Sequence, residues 1–328
     1  MNNKPLVCVL MPAYNAERFI GAAIRSILDQ TFTDFEFIII NDGSTDRTEA
    51  IARSFADPRI VVHTQPNSGI AAALNLGLSV AMAPLIARFD ADDIAAPTRL
   101  ERQYARIHQS PGLVLVGSSA DYIDEDERFV FSWRPPAFDH ETIFGISRLE
   151  CPFIHSSVLF RKDAVVALGG YDSNAFTFED HLLWTKLLPH GRTCNLPESL
   201  LRVRLSAQSI TIDEKWRPLS FRRIKQKALN AGHISAEDGQ RMREIARVQD
   251  RRPVKRGSYH ALLAKKFLWN NHQPRLARHH LRLALAHVPS YSMGYALWLL
   301  SFLPARVLSG FYRAGKLLES SSRNARIQ

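Results

Sequence analysis

Three carboxylates, Asp90, Asp92 and Asp93, lie within four positions directly after the apolar run LIARF. Unit charges about 4 Å apart repel each other by about 1 kcal/mol even in water, so such a cluster needs a reason. Oxygen ligands of this kind suit Mg²⁺ or Mn²⁺, which are typically held by one or two carboxylates and a substrate's phosphates. The alternative is an acidic loop that caps the helix predicted near Pro97, but capping needs only one carboxylate. The cluster therefore indicates a divalent-metal site.

The elements around this cluster alternate over the first 120 residues. Strand–helix alternation at this spacing favours a mostly parallel sheet with helices on both faces, in which ligands bind beyond the carboxyl ends of the strands. The predicted strands cover 6–11, 35–40, 59–63, 85–89 and 113–117, and the predicted helices lie near 17–29, 46–56, 69–82 and 97–109. We expect the polar clusters at strand ends to converge on one crevice; they are PAYNAE (12–17), NDGSTD (41–46) and DADD (90–93).

The pattern loosens after residue 120, where an antiparallel pair is predicted near 120–133 and a strand at 156–160. A helix resumes at 178–188 and opens on Glu179 and Asp180, two acids that also suit a helix N-terminus without any chemical role. His155 precedes the strand at 156–160, where a structural role and a role in the site both remain open. Basic helices are predicted after Leu205.

Charge divides the chain into two parts. Of the 42 Lys and Arg and the 32 Asp and Glu, 23 basic and 5 acidic residues lie in 215–328, which leaves the earlier part acidic. This asymmetry predicts a catalytic domain over 1–212 and a basic, amphipathic helical extension over 213–328. The three cysteines show no CxxC spacing and favour a reduced, cytoplasmic setting. No charge-free apolar run of membrane-spanning length occurs, so we expect no transmembrane helix.

Other carboxylate and nucleotide motifs fit poorly. A haloacid-dehalogenase-like phosphatase uses Asp-x-Asp-x-Thr/Val, but Ile94 stands at the fifth position. Dinucleotide binding requires G-x-G-x-x-G after the first strand, where the chain reads PAYNAERF, and the phosphate-loop motif G-x-x-x-x-G-K-[ST] is absent. The remaining class uses its metal to hold the diphosphate of a nucleotide-sugar.

The ordered motifs resemble the family 2 glycosyltransferases of the GT-A fold. The similarity covers about residues 5–105 and resumes at PFIHSSVLFRKDAVVALGGYD and FTFEDHLLWTKL. It implies an α/β fold, a GT-A domain with a Rossmann-like sheet, and metal-dependent transfer of a sugar from a nucleotide-sugar, with inversion. By this resemblance the donor is a UDP-sugar and the acceptor is a hydroxyl of a glycan or a lipid-linked molecule. The cofactor would be Mn²⁺ or Mg²⁺.

The resemblance also assigns residues to the donor. The loop from Pro12 to Glu17 and Asp42 correspond to positions that hold base and ribose, where Asp42 can accept the uracil N–H. Asn67 and Gly69 match a loop that approaches the nucleotide or sugar. The implied nucleotide-sugar-binding residues are Pro12, Ala13, Tyr14, Glu17, Asp42, Asn67, Gly69 and Asp90. Arg88, beside Phe89 in the predicted strand, is a further candidate, which can contact the donor phosphates or form a structural ion pair with one of the carboxylates.

The DxD motif of the family matches Asp90-Ala91-Asp92. Asp92 takes the place of the metal ligand, and Asp90 lies nearer the ribose and sugar while assisting the metal. Asp180 matches the catalytic base, with Glu179 beside it, because an acceptor hydroxyl is a weak nucleophile until a carboxylate takes its proton. His155 matches a position on the acceptor side.

The chain departs from the family pattern in two places. Ser206 stands where many relatives have a histidine, although Arg204 and Ser209 are retained, and the Gln-x-x-Arg-Trp signature of processive synthases is missing. The alternatives are a nucleotidyltransferase, which would normally show a glycine- and Arg/Lys-rich phosphate loop, and a nucleotide-sugar-binding protein without turnover. Nucleic-acid binding by the basic extension is not expected.

The end of the chain combines basic residues with an aromatic and apolar stretch, YALWLLSFLPARVLSGFYRAGKLL, from Tyr295 to Leu318. This composition is typical of a helix that lies in the interface of an anionic membrane. We therefore expect peripheral attachment to the inner face of the cytoplasmic membrane. The alternative is that these helices pack on the catalytic domain or form a homodimer contact.

Overall fold

The computed structural model describes residues 4–207, 217–249, 252–304, 306–308 and 310. These residues belong to two compact units. The first unit comprises Met1–Asp121, Ser132–Arg204 and Pro218–Ile245, and the second comprises Tyr122–Phe131, Leu205–Arg217 and Ala246–Gln328. The predicted boundary between residues 212 and 213 lies outside the described residues, so the division into 1–212 and 213–328 stays a prediction.

A mixed sheet forms the centre of the first unit. Its strands are β1 (Val7–Ala13), β2 (Phe35–Asp42), β3 (Ile60–Gln65), β4 (Leu85–Arg88), β5 (Ile94–Ala95), β6 (Leu113–Ile123), β7 (Phe129–Trp133), β8 (Leu159–Arg161) and β9 (Arg192–Arg204). The spatial order is β3-β2-β1-β4-β8-β6-β9-β5, and β7 pairs with β6. Strands β3, β2, β1 and β4 run parallel, whereas β8 runs antiparallel to both β4 and β6, and β5 runs antiparallel to β9.

Helices cover both faces of the parallel strands. The helices up to β9 are α1 (Ile20–Leu28), α2 (Thr48–Arg53), α3 (Ile70–Val80), α4 (Arg99–His108), α5 (His140–Ile146), α6 (Lys162–Ala167) and α7 (Glu179–Leu187). Val7, Val9 and Met11 of β1 pack in the cluster that contains α1, and Cys8 and Leu10 pack in the cluster that contains α3. Successive side chains of a strand point to opposite faces, which explains this division.

The α/β fold predicted from the sequence is confirmed. Each predicted strand and helix of the first 120 residues is present within a few residues of its expected bounds, and β6 and β7 form the pair expected near 120–133. The parallel pairing ends at β4, so the far side of the sheet is antiparallel. Strand β9 occupies a stretch for which the sequence pattern predicts no strand.

The register of the parallel strands sets where the predicted site residues lie. Ala13 is opposite Asn41, Asp42 is opposite Gln65, and Leu10 is opposite Arg88. The carboxyl ends of β1, β2, β3 and β4 therefore meet at one edge of the sheet, as the three polar clusters require.

The chain after β9 is helical, as predicted. Its helices are α8 (Leu219–Ala231), α9 (Ala236–Gln249), α10 (Arg252–Trp269), α11 (Pro274–His287) and α12 (Ser292–Leu300). In the second unit α10 and α11 pack as a hairpin, with Tyr259, Leu263 and Phe267 of α10 and Leu281 of α11 buried. No helix within the described ranges is long and apolar enough to cross a membrane.

Candidate active site

The loops after β1 and β2 are joined by hydrogen bonds between side chains and backbone. The Asn15 N–H donates to Ser44 Oγ at 3.0 Å, and the Thr45 N–H donates to Asn15 Oδ1 at 2.8 Å. The Glu17 N–H donates to Asp46 Oδ2, and Glu17 Oε2 accepts from the Arg47 N–H, both at 3.1 Å. Glu17, predicted to contact the donor, therefore holds the two loops together.

The first loop presents one aromatic surface. Tyr14 is 51% exposed, which leaves its ring available to a ligand, while Ala13 is buried and Pro12 is half-buried. Asn15 adopts a positive φ of 48°, a conformation that asparagine tolerates better than most residues. This turn directs the chain from β1 towards α1 and leaves the Tyr14 side chain exposed.

Asp42 at the end of β2 organises the loop after β3. Its Oδ1 accepts from the Ser68 N–H at 2.9 Å and from Gln65 Nε2 at 2.7 Å, and its Oδ2 accepts from the Gly69 N–H at 2.9 Å. Because a carboxylate oxygen has two lone pairs, Oδ2 retains capacity for a further donor such as a base N–H. We infer that the loop is assembled around the carboxylate predicted to read the base.

Gly43 allows this loop to approach. It has a φ of +70°, and a Cβ at this position would lie 2.6 Å from the Asn67 backbone nitrogen. Any larger residue would displace Asn67, which itself is exposed, as is Gly69. The predicted donor residues Asn67 and Gly69 thus lie at the same edge of the sheet as Tyr14 and Asp42.

Asp90–Asp93 form the acidic turn at the end of β4. Arg88, 2% exposed, forms an ion pair with the half-buried Asp90. The Arg204 N–H donates to Asp93 Oδ1, and Arg204 Nε donates to the Asp92 carbonyl oxygen, both at 2.9 Å. Arg204, retained from the family pattern, therefore fastens the end of β9 to this turn.

The electrostatics of the acidic turn suit a cation. Burial and then the charge of Asp90 raise the pKa of Asp92 to about 7, and burial followed by Asp92 and Asp90 raises the pKa of Asp93 well above its usual value. A divalent ion would offset this cost by keeping Asp92 and Asp90 ionised. Within the described ranges no group of three or more His, Cys, Asp or Glu could hold a metal ion.

Two buried residues of α4 support the acidic turn, and sequence reasoning missed both. Arg99 is fully buried, donates from Nη2 to the Arg88 carbonyl oxygen at 2.7 Å and from Nε to Gln103 Oε1 at 3.1 Å. Gln103 Nε2 donates to the carbonyl oxygens of Val116 and Ser157, at 2.9 and 2.7 Å. Burial lowers the pKa of Arg99 to about 9, and Asp93 opposes that shift. A buried guanidinium thus lies beside the carboxylates that it helps to neutralise.

The predicted catalytic acids begin α7. Asp180 Oδ1 accepts from the His181 N–H at 2.7 Å, and the Cys151 thiol donates to Asp180 Oδ2 at 3.9 Å. Burial and then Asp180 raise the pKa of Glu179 to about 8, and burial raises the pKa of Asp180. A pKa of about 8 means that Glu179 holds its proton near neutral pH.

His155 lies in a short 3-10 turn, and its Nε2 is 3.1 Å from the Tyr171 hydroxyl. The Trp184 ring is nearly perpendicular to both rings, and its centroid lies 6.1 Å from that of His155 and 6.3 Å from that of Tyr171. Trp184 is fully buried and packs in the hydrophobic core. Tyr171 was not predicted as a site residue, because only the fold brings it to His155.

The end of β9 carries the departure from the family pattern. Ser206 is buried, and Ser209 lies outside the described residues. The Arg204 guanidinium lies 4.4 Å from the centre of the Phe19 ring, a cation–π contact that fixes its orientation. Arg204 thus links β9 to the start of α1 as well as to the acidic turn.

The sequence is similar to those of known glycosyltransferases. The family model described as "Glycosyl transferase family 2" matches residues 8–169. The chain is 30% identical to the amylovoran biosynthesis glycosyltransferase AmsE of Erwinia amylovora over 214 residues, which covers 63% of this chain and 79% of that protein. It is 33% identical to the O-antigen biosynthesis glycosyltransferase WbnJ of Escherichia coli over 212 residues, which covers 62% of this chain and 81% of that protein.

Solved structures show the same fold. The S. aureus TarS 1–349 complex with UDP has a TM-score of 0.54 at 17% identity, covering 94% of this chain and 92% of that chain. The mannosyltransferase PcManGT from Pyrobaculum calidifontis, in complex with GDP-Man and Mn²⁺, has a TM-score of 0.53 at 18% identity, covering 95% and 85%. The family model and the named relatives show that the chain is an enzyme of the glycosyltransferase class. The chain belongs to glycosyltransferase family 2.

Proposed function

We propose that this glycosyltransferase moves a sugar from a UDP-sugar to a hydroxyl of a glycan or lipid-linked acceptor during polysaccharide synthesis, with inversion at the anomeric carbon. The AmsE and WbnJ names, which refer to amylovoran and O-antigen synthesis, support the acceptor class. The TarS complexes with UDP and UDP-GlcNAc support the donor class.

One observation carries the proposal: the Arg88 guanidinium acts on the carboxylates of both parts of the site. It pairs with Asp90, and its charge opposes the burial that raises the pKa values of Glu179 and Asp180. The acidic turn and the start of α7 are therefore close enough to act on one substrate. Donor diphosphate at the turn and acceptor hydroxyl at Asp180 is the arrangement that in-line attack requires.

The acidic turn would hold the metal in this reaction. Asp92 would ligate Mn²⁺ or Mg²⁺ with Asp90 assisting, and the ion would supply charge stabilisation to the departing diphosphate. Arg88, which pairs with Asp90, would lie beside the same phosphates. Tyr14 would stack on the base, and Asp42 would accept its N–H.

Asp180 would remove the proton of the acceptor hydroxyl. An ionised carboxylate is required, and the protonated Glu179 beside it avoids a second buried negative charge. Attack from the acceptor side on an α-linked donor then gives a β-linked product. His155 would contact the sugars from its turn.

A donor panel tests this function against the two alternatives. Each nucleotide-sugar is incubated with Mn²⁺, and free nucleotide is measured, with and without acceptor extracts. We expect release from UDP-linked donors, with loss of release in excess EDTA and in Asp92→Ala. Pyrophosphate release from a nucleoside triphosphate and a sugar phosphate would favour a nucleotidyltransferase, and binding without release a binding protein. Full activity in EDTA would contradict the metal assignment.

The same proposal includes an anionic membrane surface as a partner. Five large apolar side chains near the end of the second unit are between 42% and 66% exposed: Met293, Tyr295, Leu299, Phe302 and Val307. Arg275, Arg282 and Arg306 are also exposed in this unit. Exposed apolar and basic side chains together suit an anionic lipid interface. Residues 311–318 of the predicted stretch lie outside the described residues.

Liposome flotation tests the membrane proposal in the full chain. We expect binding to rise with the fraction of anionic lipid and to fall in Leu299→Ser/Phe302→Ser. Met82→Ser, which changes a comparably exposed residue of the first unit at 58%, is the matched control. Binding that ignores lipid charge, or an oligomer in sedimentation that dissociates in the double variant, would favour the homodimer contact instead.

A further inference from the structure

Tyr171 is the residue through which the aromatic cluster around His155 is fixed. It is 2% exposed, its ring centre lies 5.4 Å from that of His155, and its hydroxyl is 3.1 Å from His155 Nε2. The Trp184 ring packs against both in T-shaped contacts, at an angle of 76° to His155 and 77° to Tyr171. The two rings therefore have little freedom to turn.

The backbone of Tyr171 is held by α3. The Tyr171 N–H donates to Asn75 Oδ1 at 2.9 Å, and Asn75 Nδ2 donates to the Tyr171 carbonyl oxygen at 2.8 Å. Gly170 has a φ of +71°, and a Cβ there would lie 2.5 Å from Asn75 Oδ1. Only glycine permits this contact, so Asn75 sets the position from which the Tyr171 side chain reaches His155.

The hydrogen bond specifies which imidazole nitrogen carries the proton. In the described part of the chain His155 Nε2 is the only hydrogen-bond partner of the Tyr171 hydroxyl. A buried O–H that donates to nothing is costly, so the hydroxyl donates and Nε2 accepts. Burial and the charge of Arg88 hold the pKa of His155 well below its usual value, which keeps the ring neutral. The proton of a neutral imidazole whose Nε2 accepts must be on Nδ1.

We propose that Tyr171 is a positioning residue that holds His155 in its Nδ1–H tautomer, so that His155 offers an N–H donor to an oxygen of the bound sugar substrate. The described residues provide no hydrogen-bond partner for Nδ1, which leaves it to a ligand. The substrate contact rests on the proposed function, whereas the tautomer is a property of the folded chain alone.

Nitrogen NMR of the full chain labelled with ¹⁵N-histidine tests the tautomer without any substrate. The His155 signals are assigned by their loss in His155→Asn. We expect Nδ1 to show the shift of a protonated nitrogen and Nε2 that of an acceptor nitrogen. In Tyr171→Phe, which keeps the ring but removes the hydroxyl, we expect this preference to weaken. Tyr104→Phe, whose ring packs on Phe32 elsewhere in the first unit, is the matched control.

Kinetics test whether the tautomer matters to transfer. We expect Tyr171→Phe to lower kcat about tenfold with a smaller change in the KM of the donor, the size of one lost hydrogen bond. His155→Asn, whose amide nitrogen falls near the Nδ1 position, should retain more activity than His155→Gln, whose amide falls near Nε2. Tyr171→Phe should add no further loss to His155→Asn, because it acts only through the imidazole.

Several results would overturn the proposal. A protonated Nε2 in the wild-type spectrum would contradict the tautomer whether or not the chain transfers sugar. An unchanged spectrum in Tyr171→Phe would show that the hydroxyl does not set the tautomer. Full additivity of Tyr171→Phe and His155→Asn would mean that Tyr171 acts by another route.

Discussion

The two sides of the candidate site are built by different means. Its donor loops, residues 14–17, 44–48 and 65–69, are largely exposed and are held by side-chain hydrogen bonds to backbone N–H groups. Its base cluster comprises His155, Tyr171, Glu179, Asp180 and Trp184. This cluster is mostly buried and is held by ring packing and by the positive charge of Arg88, which acts on the two acids. Exposed hydrogen bonds are worth about 1 kcal/mol each, whereas buried charges make any local change expensive. The donor loops can therefore change conformation at low energetic cost, whereas the base cluster is rigid.

Removal of the base is expected to have the largest effect on activity. Asp180→Asn keeps the shape of the side chain but cannot accept a proton, and we expect kcat to fall by about 10²–10⁴-fold. Donor affinity should barely change, since the role belongs to the chemical step. Calorimetry with UDP and Mn²⁺ and steady-state rates measure the two effects. Near-normal turnover, or a loss confined to donor binding, would refute the assignment.

Removal of the buried charge of Arg99 is expected to have the next largest effect. Arg99→Met removes one of the two buried guanidinium groups whose charges act on Asp93, the other being Arg88, and we expect a loss of about 3–5 kcal/mol in the free energy of unfolding. Arg102→Met changes an exposed residue of the same helix and should cost less than about 1 kcal/mol. Denaturant unfolding measures both. If charge is the cause, Asp93→Asn should restore part of the stability in the Arg99→Met background.

The raised pKa of Glu179, about 8, predicts a pH dependence of stability. The folded chain retains the Glu179 proton at pH values where the unfolded chain has lost it, so this group lowers stability as pH rises from about 4.5 towards 8. Glu179→Gln removes the titration and should raise Tm more at pH 8 than at pH 5. Because glutamine mimics the protonated acid, turnover at pH 7 should change only a few-fold.

An equal gain in Tm at both pH values would show that Glu179 is not the titrating group. A loss of turnover in Glu179→Gln as large as that in Asp180→Asn would mean that the two acids share the role of base. Either result would contradict the division of roles in which Glu179 holds the proton and Asp180 acts as the base.

The smallest effect is expected in the donor loops. Asn15→Ala removes the acceptor of the Thr45 N–H, and we expect the KM of the donor to rise about fivefold with little change in kcat. Asn15→Gly separates two causes, since it also loses the hydrogen bond but accommodates the positive φ without strain. Equal effects in both variants would attribute the change to the hydrogen bond, and wild-type KM in both would exclude this loop from donor binding.

The sequence predicted the strand ends that carry the candidate site better than the buried contacts that support it. Hydrophobic periodicity locates strand ends, and a parallel sheet then gathers residues such as Asp42 and Asp92 at one edge. No local pattern connects Arg204 with Asp93, which are 111 positions apart, or Asn75 with Tyr171, which are 96 apart. Arg99 and Gln103 look like the polar face of an ordinary amphipathic helix, and only packing against β6 reveals that they are buried. Long-range pairing of buried polar groups is what periodicity does not encode.

The reciprocal bonds between the loops after β1 and β2 have an evolutionary consequence. Because Asn15 accepts from Thr45 while Ser44 accepts from Asn15, and Glu17 and Asp46 cap each other's loops, neither loop can change its side chains without altering the partner's backbone. Substitutions here should show epistasis, with the loss caused by a new residue in one loop reduced by a matching change in the other. Donor preference in this enzyme would therefore drift mainly by paired steps across residues 14–17 and 44–48, and libraries that randomise both loops together should contain more active variants than libraries that randomise one.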